Sequence, residues 1–176
     1  MEGSALTQKT IEVFDTLRED YKDIGLCLQA YLIRTGGDLD QRMRKPFNVR
    51  LCKGAYKEPP AIAYVSKAAV DGSFRMLIQK TMEQANRGVY PAFATHDPAL
   101  VEYTKDIAEE KRVSTGNFEF QMLYGIQNRR LAALAKEGYR TSIYIPYGTH
   151  WLPYLIRRLR ERKENFYFLL RNVFRN

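Results

Sequence analysis

Cysteine, histidine and tryptophan are scarce: the 176 residues include two Cys, two His and one Trp. Two thiols, Cys27 and Cys52, make neither a disulfide framework nor a metal site. Each lies in an apolar, strand-like run, where a thiol is expected to behave as a small buried hydrophobe. Neither His96 nor His150 has Cys or carboxylate neighbours at metal-ligand spacing, so no metal is expected. No glycine fingerprint of a dinucleotide-binding fold follows any strand, and the sequence has no phosphate loop, zinc motif or serine nucleophile elbow. These absences argue against a kinase or hydrolase and leave open a cofactor enzyme, in which the protein mainly binds and orients. No apolar run approaches the roughly 20 residues of a membrane-spanning helix. The Met-Glu-Gly-Ser start lacks the hydrophobic region of a signal peptide, so a cytosolic or matrix-type chain is expected, at most peripheral to a membrane.

What is present is the composition of an ordinary globular domain, 45% apolar and 27% charged, with a net charge of +8. The charge is uneven. Seven basic residues lie between Trp151 and Asn176 against only Glu161 and Glu164, so that segment carries +5 and the remaining 150 residues only +3. A basic nucleic-acid-binding surface over the body of the chain is therefore not expected.

Short apolar runs alternate with helical patterns. Leu6, Val13, Phe14, Leu17 and Tyr21 predict one side of a helix, with Ser4 placed to cap it. Strands are expected at 24–29, 48–53, 89–95, 118–122 and 141–145. Phe74, Leu77, Ile78, Met82 and Ala85 follow helical spacing up to Gly88. Asp97-Pro98 suits a helix start, since Asp caps and Pro fits the first turn, and Leu100, Tyr103 and Ile107 mark the inner stripe. Leu131, Leu134 and Ala135 mark a further helix ended by Gly138, and a last helix is expected from about Thr149 to Lys163. This alternation predicts an α/β fold with a parallel sheet in a single domain, 1–176. It reads as about five βα units of a barrel-type repeat, although an open doubly wound sheet would give much the same string. A closed (β/α)8 barrel typically needs about 250 residues, so this length is too short to close one.

In such barrels working residues gather at the C-terminal ends of strands. Polar residues collect there: Gln29, the stretch Arg50–Tyr56, Thr95-His96-Asp97, Glu119 and Gln121, Tyr144 and Tyr147. Any one of them could belong to an internal hydrogen-bond network, but five strands turning polar together favour a site. On the last helix Tyr154, Arg157, Arg158 and Glu161 share a side nearly opposite Leu152, Leu155, Ile156 and Leu159. That side is either a solvated face or a clamp in which two guanidinium groups grip a small carboxylate.

Arg50-Leu-Cys-Lys-Gly-Ala-Tyr56, Ala94-Thr-His-Asp97, Phe118-Glu-Phe-Gln-Met-Leu-Tyr-Gly125, Tyr144-Ile-Pro-Tyr-Gly148 and Pro153-Tyr-Leu-Ile-Arg-Arg-Leu-Arg-Glu161 resemble the successive strand-end motifs of proline dehydrogenases. They occur in the family's order, and the resemblance runs from Met1 to about Phe168. It implies a partial (β/α)8 TIM-type barrel, strands four to eight, ending in a substrate-binding last helix. It also implies oxidation of L-proline to Δ1-pyrroline-5-carboxylate, with hydride passing to FAD and electrons to a quinone. Carried over, Gln29, Arg50, Lys53, Gly54, Ala55, Lys67, Thr95, His96 and Asp97 would contact FAD, with Arg50 near the flavin ring. Arg157 and Arg158 would bind the proline carboxylate, and Glu161 would steady them. Tyr144, Tyr154, Leu123 and Tyr56 would wall in the pyrrolidine ring, and Arg50 and Tyr144 would stand at the catalytic centre.

Two departures from the motifs are Cys52, where the family usually has Val, and Asp97, where it often has Asn. The resemblance further implies that the family's N-terminal barrel strands, including a Lys at the proline site and an Asp that helps hold the flavin, lie outside this chain. The expected partners are then L-proline, a quinone and either a complementing N-terminal barrel segment or an oligomer. The expected location is the bacterial cytoplasm, at most peripheral to the inner membrane. Two other readings are an inactive truncated fragment or structural module of such a barrel, and a related flavin barrel acting on hydroxyproline. An unclosed sheet is expected to expose an edge strand and part of its interior, leaving the chain poorly soluble or oligomeric and a weak binder of FAD.

Overall fold

The structure is a computed structural model that describes residues 3–54 and 56–148. Five strands, β1 (Gly25–Gln29), β2 (Phe47–Cys52), β3 (Val89–Ala94), β4 (Glu119–Leu123) and β5 (Arg140–Tyr144), form one sheet in the order β1-β2-β3-β4-β5. Every neighbouring pair is parallel. Helices α1 (Ser4–Asp20), α2 (Thr35–Arg42), α3 (Lys67–Ala85), α4 (Pro98–Glu110) and α5 (Asn128–Lys136) precede, separate and connect the strands. Strand order that follows chain order throughout, with no reversal, separates a barrel-type βα repeat from a doubly wound sheet. The chain is an α/β protein built as a partial βα barrel.

The two faces of the sheet differ in chemistry. Leu26, Leu28, Val49, Leu51, Phe93, Phe120 and Met122 are buried, and they share one core with Ile11 and Phe14 of α1, Leu77 and Ile78 of α3, Leu100 and Ile107 of α4, and Leu131 and Leu134 of α5. Their alternates in the strands, among them Cys27, Asn48, Arg50, Glu119 and Gln121, are only half-buried. A parallel sheet covered on both faces would read as continuous hydrophobic runs. Here one face is packed by helices and the other is polar.

An aromatic cluster fills the β3–β4–α5 part of the core. Phe118 and Phe120 meet edge to face with centroids 5.6 Å apart, Phe93 stands 6.1 Å from Phe118, and Tyr139 stands 5.5 Å from Phe120. Edge-to-face pairs of this kind add to the burial itself.

The helix starts and stops follow local chemistry. Asp97 accepts a hydrogen bond from the Ala99 amide with Pro98 in the first turn, as expected, and Ser66 accepts from Ala69 to open α3. After α3 the chain turns at Gly88, where φ is +96° and a Cβ would come within 2.9 Å of Pro46. Only glycine suits both constraints.

Four expectations are corrected. On α1 the buried residues are Thr7, Ile11 and Phe14, whereas Leu6, Val13, Leu17 and Tyr21 are exposed. Leu6, Val13 and Leu17 instead line an open groove beside the β1 edge, because the helix packs against the sheet through its other side. Ser4 does not cap α1; Gly3 occupies that position, and the Ser4 amide donates to Glu58 Oε1 at 2.8 Å. Ala135 is exposed although Leu131 and Leu134 are buried, since α5 is only nine residues long and has a narrow contact stripe. Cys27 and Cys52 are half-buried on the polar face rather than packed in the core. The last helix, from Thr149 onward, lies outside the described residues.

The core makes a direct expectation. Phe118→Ala should cost about 3–5 kcal/mol of folding stability, read by urea denaturation, whereas Leu6→Ala should stay within about 0.5 kcal/mol of wild type. Similar losses from both would mean that the α1 groove is part of the core.

Candidate active site

Partners in register across a parallel sheet share a face, so the polar side chains fall into rows. One row runs Cys27, Arg50, Ala92, Glu119, Arg140, and the next runs Gln29, Cys52, Ala94, Gln121, Ser142. Leu123 and Tyr144 are paired one step further along β4 and β5. On β3 both rows carry alanine. Those two small side chains leave room for Arg50 to reach over β3 from β2, where its Nε donates to Gln121 Oε1 on β4 at 2.7 Å.

Arg50 organises this face. Its Nη1 donates to Cys27 Sγ at 3.3 Å, and its guanidinium carbon lies 5.8 Å from the centre of the Tyr144 ring. Burial works against its charge, but Cys27, Cys52 and Tyr144 outweigh that penalty, and its pKa is raised. Gln121 passes the contact on by donating through Nε2 to Glu119 Oε1. Glu119 also accepts from Ser142 Oγ at 3.2 Å and from the Tyr90 hydroxyl at 3.3 Å. Burial and the Glu119 charge push the Tyr90 phenol up, which keeps it a donor. A cation on β2 and a carboxylate on β4 are thus joined by one amide, as a half-buried charge requires.

A second cluster sits just past the strand ends. Lys53 Nζ lies 2.5 Å from Asp71 Oδ1 and 2.7 Å from Asp97 Oδ2. Lys67 Nζ, largely exposed, lies 2.6 Å from Asp71 Oδ2 and 3.6 Å from Asp97 Oδ2. Burial alone would raise the Asp71 and Asp97 carboxyls, yet Lys53 and then Lys67 hold both below the usual value. Thr95 is buried, and its Oγ1 accepts from the Asp97 amide at 3.1 Å. His96 Nε2 accepts from the Leu123 amide at 3.0 Å, so that nitrogen carries no proton. Gln127, in the left-handed region at φ 54°, donates through Nε2 to the His96 carbonyl at 3.0 Å. That strained residue ties the loop after β4 to the loop after β3. Gly54 has φ +94°, and a Cβ there would meet the Tyr31 ring at 2.1 Å, so the turn after Lys53 admits only glycine.

The structure therefore brings Gln29, Arg50, Leu123 and Tyr144 onto one face, and Lys53, Gly54, Lys67, Thr95, His96 and Asp97 onto the rim beyond it. Tyr56 packs in a separate small cluster with Tyr31, Leu32 and Ala63. Ala55, Tyr154, Arg157, Arg158 and Glu161 lie outside the described residues. Asp71 was missed as a site residue, although Lys67 and Asp71 stand at the i, i+4 spacing of a helical ion pair. From sequence Gln121 and Glu119 stand out only as polar strand residues, because nothing there shows that Arg50 reaches two strands away.

The proline dehydrogenase family model matches residues 1–171. Proline dehydrogenase 2 of Bacillus subtilis strain 168 is 41% identical over 174 residues, covering 98% of this chain and 56% of that protein. Proline dehydrogenase of Deinococcus radiodurans is 37% identical over 175 residues, with the same coverage of 98% and 56%. This chain thus spans about half the length of the curated relatives it matches. Among solved structures, proline utilization A from Bdellovibrio bacteriovorus, inactivated by N-propargylglycine, superposes with a TM-score of 0.84 at 29% identity. That match covers 93% of this chain and 20% of the other.

The Lys53 cluster makes a pH-dependent expectation. Two carboxyls whose folded pKa is depressed below 3.8 stabilise the fold above the carboxylate range and lose that contribution as pH falls through it. Lys53→Met should therefore cost on the order of 2 kcal/mol at neutral pH, and its deficit against wild type should shrink below about pH 4. Urea denaturation at both pH values checks this. A deficit that stays constant or grows in acid would rule out the ion-pair account.

Proposed function

The chain belongs to the proline dehydrogenase family, and we propose that its polar face is the flavin side of a site that oxidises L-proline to Δ1-pyrroline-5-carboxylate. The observation that carries this reading is Arg50, kept charged and held by Gln121 over the two alanines of β3. A low alanine floor with a fixed cation and amide donors beside it suits a planar heteroaromatic ring with acceptors along one edge. The donor set therefore fits FAD. Gln29 and Arg50 would hold its ring, while Lys53, Gly54, Ala55, Lys67, Thr95, His96 and Asp97 would hold the remainder. When bound, the flavin supplies the hydride acceptor, and a quinone is the proposed destination of the electrons.

The chain's own residues supply binding, orientation and charge. Arg50 would stabilise negative charge on a flavin held beside it, and it stays ionised because Cys27, Cys52 and Tyr144 offset its desolvation. Tyr144 and Leu123, paired on β5 and β4, offer an aromatic and an apolar wall to the pyrrolidine ring, with Tyr56 and Tyr154 as further walls. Arg157 and Arg158, steadied by Glu161, would anchor the substrate carboxylate through charge-assisted bonds that a planar fork makes well. An anchor at one end and apolar walls at the other fix which C–H bond of a small zwitterion is presented. The proposed setting is the bacterial cytoplasm, with membrane contact only at the surface. Among the described residues no helix is long and apolar enough to cross a membrane.

The reading is tested by flavin absorbance under nitrogen. The protein mixed with FAD should bind it, weakly for the isolated chain, and L-proline should bleach the visible band. Arg50→Met should weaken FAD binding about tenfold or more. In a complete barrel Arg157→Met and Arg158→Met should each raise the proline KM about tenfold or more, with hydroxyproline run alongside to separate the substrates. Protein that stays colourless with excess FAD, or both arginine variants oxidising proline normally, would overturn the assignment.

A further inference from the structure

We propose that Gln121 is a positioning residue that holds the Arg50 guanidinium without cancelling its charge, and that Glu119 sets which end of the Gln121 amide faces Arg50. The inference rests on the flavin reading of the polar face and gives Glu119 and Gln121 roles which that reading does not require. Neighbouring strands lie about 4.8 Å apart, so a link from β2 to β4 must bridge two such steps. Arg50 stands in register with Ala92, and Gln121 with Ala94. Over these small side chains Arg50 Nε donates to Gln121 Oε1 at 2.7 Å. Gln121 Nε2 in turn donates to Glu119 Oε1.

The three side chains differ in what they can offer. A guanidinium carries donors only, an ionised carboxylate acceptors only, and an amide one end of each kind. A single orientation of the Gln121 amide therefore satisfies both neighbours, with oxygen toward Arg50 and nitrogen toward Glu119. Glu119 is itself held from other strands, since the Tyr90 hydroxyl on β3 and Ser142 Oγ on β5 donate to it at 3.3 Å and 3.2 Å. The direction of the amide is thus fixed by β3 and β5 as well as by β4.

Charge explains why an amide stands at this position. A carboxylate at position 121 would hold Arg50 at least as firmly, through a charge-assisted bond, but it would also set a negative charge directly against the cation. Coulombic attraction weakens with distance. Glu119 reaches Arg50 only through the length of the Gln121 amide, so Arg50 keeps more of its field for a ligand. Charge beside the ring is one of the means by which a protein tunes a bound flavin. The order cation, amide, carboxylate therefore favours electron-rich, reduced flavin more than the order cation, carboxylate, amide would.

The test exchanges the two residues. Glu119→Gln combined with Gln121→Glu keeps one amide, one carboxylate and the chain of hydrogen bonds, and it moves only the charge. In the intact chain the exchange should leave the urea midpoint unchanged and should keep the Arg50 Nε–H signal in the nitrogen-edited NMR spectrum of the FAD-free protein. With FAD at saturating concentration, the midpoint potential of the bound flavin should become more negative, and FAD affinity should fall severalfold. Glu119→Gln alone should move the potential the opposite way. Gln121→Met should speed hydrogen exchange at Arg50 Nε–H severalfold. An exchange variant with the wild-type potential, a shift of the same sign in Glu119→Gln, or an Nε–H signal unaffected by Gln121→Met would each overturn the proposal. If the wild-type chain takes up no FAD, the flavin reading of the site falls, and the Nε–H signal still decides whether Gln121 holds Arg50.

Discussion

One side chain crossing from β2 to β4 governs the polar face. Arg50 can make that crossing only because β3 contributes alanine to both rows beneath it. A bulky residue at Ala92 or Ala94 would stand in the path to Gln121. The crossing also settles an electrostatic difficulty, since a half-buried guanidinium needs partners that follow it into the protein. Gln121 and Cys27 are those partners, and Glu119 balances the charge one amide away.

That network and the hydrophobic core specify the same register. The β strands alternate helix-facing apolar residues with polar residues on the other face, so a slip of one residue would exchange the two sets. The slip would expose Phe120 and Met122 and bury Glu119 and Gln121 among the helices. Glu119 adds a direct constraint, because its three donors, Tyr90, Gln121 and Ser142, come from β3, β4 and β5. The side chains that form the candidate site are also those that hold the strands in alignment.

Much of this was legible in the sequence, for reasons that can be given residue by residue. Asp97-Pro98 marks a helix start unambiguously, since capping is a local property of two adjacent residues. The strands are legible to within one or two residues because their helix-facing positions are apolar except for Thr141, the partner of Phe120. Helix α2 was not foreseen. Its Gly36-Gly37 start is a poor helix former, and tertiary bonds hold it: Thr35 Oγ1 to the Gln29 carbonyl at 2.6 Å, and Arg42 to Asp15 at 2.5 Å. The inner side of α1 was misjudged because apolar residues spread around much of the helix, and only packing against β1 selects Ile11 and Phe14. The cysteines read as small buried hydrophobes because composition alone cannot place a guanidinium beside a thiol. Contacts between residues far apart in sequence, such as Arg50 with Gln121 or Lys53 with Asp97, arise from strand order and carry no local signature.

Arg50 is rooted on β2, yet its guanidinium group is carried over β3 to Gln121, with Cys27 on one flank and the Tyr144 ring on the other. The position of the cation is therefore set by strands other than its own. A change at Gln121 would displace the charge without altering the residue that bears it, so the polar face can be retuned from a distance by an uncharged side chain.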